Sequence, residues 1–112
     1  KGEINIKNSL EKLNIKFETQ YKFDDCYYKQ KLAFDFAIFI NGKFGLIEFH
    51  GEQHCKMIPF FNKNNKYEES KKRDEIKLNY VKTKNIKLLI IPYNRFNDIE
   101  DLIKKFINEN FQ

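Results

Sequence analysis

The sequence predicts an α/β domain, a mixed sheet flanked by helices in the order αβββαβα, spanning residues 1–112 as a single unit. Three observations carry this expectation. Leu32 to Ile40 and Lys43 to His50 are strand-like runs joined by Asn41-Gly42, a pair whose tolerance of positive φ suits a type I′ hairpin turn. Apolar residues recur at helical spacing near the N-terminus and again after Asp98. Ile86 to Ile91 is a nearly continuous apolar run, the pattern of a strand covered on both faces.

Taken in order, the segment up to Leu13 reads as a helix, with Ile6, Leu10 and Leu13 on one stripe. Glu3 extends that stripe by one more step towards the N-terminus. A carboxylate there either points to the edge of the core or complements the helix dipole, and both readings stay open. Ile15 to Phe23 reads as the first strand, with a loop at Asp24-Asp25-Cys26 leading into the hairpin. Residues 52–66 form a polar connection containing Pro59 and Asn62-Lys63-Asn64-Asn65, long enough to be a substrate-binding loop. Tyr67 to Thr83 reads as a lysine-rich helix with Asp74, Lys77, Leu78 and Val81 close on one side. The apolar run at Ile86 to Ile91 is expected beside the hairpin strand that carries Glu48, and Asp98 is expected to cap a last amphipathic helix through Ile107.

A chain of 112 residues can bury one core, and twelve Phe and six Tyr supply its bulk. No stretch has the length of a membrane span or the form of a signal peptide, so no membrane partner is expected. Two cysteines, Cys26 and Cys55, make no disulfide framework, which points to a reducing, cytoplasmic setting. The chain opens on Lys1 rather than methionine, the beginning expected of a fragment or a processed chain with room for an upstream module. Of the 21 Lys and Arg that give the net charge of +5, only Arg73 and Arg95 are arginines. Lysine is a point charge suited to phosphate, so the balance favours a nucleic-acid partner, though only weakly. Lys, Asn and Ile also rise together in AT-rich coding sequence.

The hairpin carries the chemistry. A two-residue loop pairs Ile40 with Lys43 and, rung by rung, Asp35 with Glu48 and Ala33 with His50. Strict alternation then places Asp35, Glu48 and His50 on one face, whereas a bulged three-residue loop would remove the opposition. Opposed carboxylates repel, and partial burial among aromatic neighbours makes each harder to ionise. A divalent cation, Mg2+ or Mn2+, is the natural compensation for hard oxygen ligands on adjacent strands. The plainer alternative is a wet polar face where acids are tolerated near lysines. Asp35 between two phenylalanines, and Glu48 after Gly-Leu-Ile, argue against an ordinary wet surface. His50, His54, Cys55 and Cys26 also have the ligand types of a structural zinc site, at irregular spacing.

The element order, with an acid on each hairpin strand, resembles the restriction-endonuclease-like PD-(D/E)XK superfamily. Within it the likeness is closest to the very-short-patch-repair branch and related phage and homing nucleases. The residues that carry it are Lys1-Gly2-Glu3, Phe34-Asp35-Phe36, Ile47-Glu48-Phe49-His50-Gly51-Glu52-Gln53-His54, Arg73-Asp74 with Lys77, and Leu89-Ile90-Ile91-Pro92-Tyr93. The resemblance implies that Asp35 is the principal metal ligand, Glu48 the second acidic position and Glu3 the helix glutamate of that branch. His50 stands where the superfamily more often has lysine. The chain departs from the pattern in lacking a proline before Asp35 and a lysine two residues after Glu48, and in the spacing of His50 from His54.

Phosphodiester hydrolysis is the reaction these residues suit. A metal on Asp35 and Glu48 acidifies water and neutralises phosphate, and His50 can accept or donate the proton. Gln53 and His54, just past the strand end, are placed to orient water or touch phosphate. Lys71, Lys72, Arg73 and Lys77 are expected as DNA contacts along the lysine-rich helix. The expected function is therefore a metal-dependent DNA endonuclease. Its alternatives are an inactive nucleic-acid-binding module of the same fold and a junction resolvase.

Overall fold

Asn41 and Gly42 both adopt positive φ, 53° and 76°, and close the two-residue turn that the sequence requires. They sit in a computed structural model that describes residues 2–51 and 66–111. The described elements are α1 (Gly2–Lys12), β1 (Lys16–Tyr28), β2 (Gln30–Ile40), β3 (Lys43–His50), α2 (Lys66–Lys84), β4 (Lys87–Pro92), a 3-10 segment (Tyr93–Asp98) and α3 (Ile99–Asn110). They follow the expected order. The strands form one four-stranded sheet in the order β1-β2-β3-β4, antiparallel except where β4 joins β3 in parallel.

Two of the three described α-helices stop by the same device. Asn14 after α1 and Asn85 after α2 both take φ 58°, the left-handed conformation that asparagine tolerates. The chain then turns back so that Ile15 N–H reaches Leu10 O at 2.9 Å and Ile86 N–H reaches Val81 O at 2.8 Å.

The sheet buries both faces. On one lie α1 and α3, with Ile6, Leu10, Phe36, Ile38, Ile47, Ile91 and Ile103. On the other lies α2, with Cys26, Leu32, Phe34, Ala37, Leu46 and Val81. Glycine makes the first contact possible at two places. A Cβ on Gly45 would lie 2.5 Å from Cζ of Phe111, and one on Gly2 would lie 2.5 Å from Cε2 and Cζ of Phe49. The start of α1 is thereby seated directly on β3.

Several expectations change. β1 does not end at Phe23 but continues through Asp24-Asp25-Cys26 to Tyr28, with its register to β2 shifting between Lys22 and Tyr27. β4 is apolar yet lies at the sheet edge, so Leu88, Leu89 and Ile90 are only half-buried and Ile91 alone is fully buried. Asp98 precedes α3 without capping it; its carboxylate instead accepts from Arg95 Nε at 2.8 Å. On α2, Val81 is buried, whereas Leu78 points to solvent.

The alternation of β2 reverses partway along. Leu32 and Phe34 pack towards α2, and so does Ala37, while Phe36 and Ile38 pack towards α1 and α3. The reversal falls at Asp35. β1 reverses at the same level, since Phe17 joins the α1 side but Tyr21 and Phe23 join the α2 side. Between them Gln20 has φ 50°, and the flanking rungs Thr19↔Phe36 and Tyr21↔Phe34 place it across from Asp35. Both strands change faces on one rung.

Candidate functional site

The hairpin turn sets the register, and the paired rungs run from Ile40↔Lys43 to Phe36↔Ile47 as the sequence requires. One step further, the Asp35 side chain takes over from the backbone: its Oδ2 accepts the N–H of Phe49 at 2.9 Å. The face reversal is the reason. The simple picture of Asp35, Glu48 and His50 in line on one regular face is therefore corrected: Asp35 stands at the kink, while Glu48 and His50 share the α2 side.

Among the described residues Glu48 is the one charged residue that is buried, 5% exposed, and it is held from two directions. His50 Nε2 donates to its Oε1 at 3.2 Å, and Lys77 Nζ donates to its Oε2. Lys77 comes from α2 and also lies 4.8 Å from the centroid of the Phe34 ring, within the range of a cation–π contact. Lys77 is thus more than an exposed lysine of the helix. It is delivered into the site, and it pairs with Glu48 where the sequence suggested Asp74 as its neighbour.

The electrostatics follow from this packing. Burial alone would push the Glu48 carboxyl up, but the hydrogen bond from His50 and the charge of Lys77 outweigh it and hold Glu48 below its ordinary range. His50 is raised, chiefly by its bond to Glu48, against burial and with help from the charges of Glu48 and Asp74. Asp35 behaves in the opposite way to Glu48. Burial raises it to about 6, the Phe49 N–H opposes the shift, and the charges of Glu48 and Glu3 add to it. For Glu48 the compensating bonds win; for Asp35 burial outweighs both the Phe49 N–H and the charge of Lys77.

Glu3 lies exposed in the first turn of α1, and the close seat of Gly2 on Phe49 brings its charge to bear on Asp35. Lys71 and Lys72 are exposed on α2, while Arg73 and Lys77 line a polar groove of about 430 Å3 between α2 and the outer halves of β1 and β2. Gln53, His54 and Cys55, and with them the connection over 52–65, lie outside the described residues. Cys26 is buried against α2, and burial raises its thiol. Among the described residues no group of three or more His, Cys, Asp or Glu is arranged to hold a metal ion, and no helix is long and apolar enough to cross a membrane.

Sequence reasoning missed the role of Lys77. The signal was the absence of a lysine near Glu48 on its own strand, which leaves a buried carboxylate in need of a cation from elsewhere. The bond between Glu48 and His50 has a direct spectroscopic consequence. In a titration followed by the imidazole proton signals, His50 should titrate above the ordinary 6.5, and Glu48→Gln should bring it down. Because its folded value is raised, the stabilisation from this bond is full below the ordinary value and is lost as pH rises through the folded one. A His50 titration unmoved by Glu48→Gln would show that the two do not interact in solution.

The site lies where β3 and β4 run parallel and end together, at the rung pairing His50 with Pro92. Open α/β sheets commonly receive ligands outside the carboxyl ends of their strands. Compared with known protein families, curated proteins and solved structures, the chain matches none.

Proposed function

We propose that the chain is a divalent-metal-dependent DNA endonuclease with a restriction-endonuclease-like core. The observation that carries this reading is Asp35: a carboxylate at the strand kink bonded to Phe49 N–H, desolvated and within reach of the charges of Glu48 and Glu3, its pKa pushed up to about 6, beside the buried Glu48–His50–Lys77 cluster. Such a group gains more from a hard cation than a solvated acid does.

The donor set fits Mg2+ or Mn2+. Magnesium needs only one or two carboxylates and keeps several waters. Asp35 keeps its Oδ1 beyond the oxygen bonded to Phe49, and the Glu48 oxygens retain acceptor capacity beside their present bonds. Bound there, the metal would supply Lewis acidity and a more acidic water. The protein's own groups supply the rest. Lys77 presents positive charge where a phosphate would approach Glu48. His50, raised chiefly by its bond to Glu48, holds its proton more tightly than an ordinary imidazole and is suited to donate it to the leaving oxygen.

A second reading has one observation in its favour. Both oxygens of Glu48 are already engaged within the protein, as in a nucleic-acid-binding domain that no longer hydrolyses. Incubation of supercoiled, linear and branched DNA with Mg2+, Mn2+ or chelator separates the readings. The endonuclease should nick or linearise plasmid in metal and leave it intact in chelator. Binding of all three DNAs without cleavage in either metal would select the non-hydrolysing module, and cleavage confined to branched DNA would select a resolvase.

A further inference from the structure

The groove between α2 and the outer halves of β1 and β2 is distinct from the Asp35–Glu48 cluster yet joined to it. Gln20 lines it, and Gln20 stands across the sheet from Asp35. Lys77 lines it too, and Lys77 holds Glu48. Lys22, Lys31 and Arg73 supply three further cations on its walls, against one carboxylate, Asp74, whose charge acts on His50. Lys31 does bond Asp24 at 2.7 Å, but both side chains are at least half exposed, and such a pair costs little to open.

We propose that this groove seats the phosphate backbone of the DNA strand next to the reacting phosphate. The inference rests on the nuclease reading of the adjoining site. It assigns the contacts to two strand lysines, Lys22 and Lys31, together with Arg73, rather than to the exposed lysines of α2. A phosphodiester backbone offers one negative charge per nucleotide, and cations along an open polar wall match it without reading sequence. Lys77, at the inner end, joins this track to Glu48.

The test uses the whole chain and a fluorescently labelled DNA duplex in chelator, so that binding is read without turnover. The triple variant K22A/K31A/R73A is compared with K7A/K12A/K105A, which removes the same formal charge from exposed positions on α1 and α3. The groove variant should flatten the slope of log affinity against log salt by about 0.9 for each phosphate that is no longer neutralised, alike for unrelated duplex sequences, while the control keeps the wild-type slope. Equal flattening in the two variants would overturn the groove and leave only diffuse charge. K22E, at an exposed position, repeats the readout without disturbing α2. Wild-type binding to polyglutamate as tight as to DNA at the same salt would also overturn the assignment. Metal-dependent cleavage with an unchanged slope in the groove variant refutes the groove and spares the nuclease. A flattened slope in a protein that cleaves nothing does the reverse.

Discussion

Replacing Lys77 with methionine should destabilise the fold at neutral pH by about 3–5 kcal/mol, the usual cost of stranding one member of a buried ion pair. The Lys77 and Glu48 side chains are 13% and 7% exposed, so water cannot replace the missing cation. The cation–π contact with Phe34 goes as well. His50 limits the damage when it is charged, because the imidazolium then faces Glu48 alone. The deficit should therefore be smaller at pH 5.5 than at pH 8 by a margin that urea denaturation can resolve (about 1 kcal/mol). The double variant E48Q/K77M removes both charges and should recover most of the stability. A K77M deficit below about 1 kcal/mol would mean that the pair is solvated like a surface one.

Asp35→Asn should cut metal-dependent cleavage by about 10²- to 10³-fold or more, the equivalent of several kcal/mol of charge stabilisation. The amide is the informative substitution because its oxygen can still accept the Phe49 N–H, so the kink keeps its bond. Stability should move the other way. The folded pKa of Asp35 is raised from 3.8 to about 6. The folded state therefore holds its proton more tightly than the unfolded chain, and the wild type loses stability as pH rises between those values. Asn carries no such loss. D35N should match the wild type near pH 3 and exceed it above pH 6, as read by thermal melts across that range. A variant that cleaves at the wild-type rate would remove Asp35 from the reaction, and one less stable at pH 8 would show that its charge is compensated in the fold.

Much of the frame was legible because its signals are local. Asn41-Gly42 fixes the hairpin register by backbone stereochemistry alone, and Ile6-Leu10 sets the buried stripe of α1. Glu48 and His50, two residues apart on one strand, share a face by simple alternation. What escaped was what depends on distant partners. Lys77 is one of many lysines, and only packing of α2 on Phe34 shows that it enters the site. β1 runs further than its sequence suggests because Asp24-Asp25 has the composition of a turn, whereas Asp25 is tied to α2 by Tyr80 Oη at 2.6 Å and Lys84 at 3.3 Å. The reversal at Gln20 and Asp35 requires knowing that both strands change phase on the same rung.

That shared reversal also governs how the strands can be paired at all. In a regular sheet a slip of two residues preserves every inside and outside assignment, so hydrophobic pattern alone discriminates poorly against it. Here such a slip would separate the two points of reversal. Over the interval between them, side chains of one strand that now pack towards α2 would face α1 and α3, and the reverse, while their neighbours on the other strand keep their sides. The kink is a notch that fits at one position. The residue that gives the site its raised acid is therefore also, with Gln20, one of the two that tell β1 and β2 where to stop sliding.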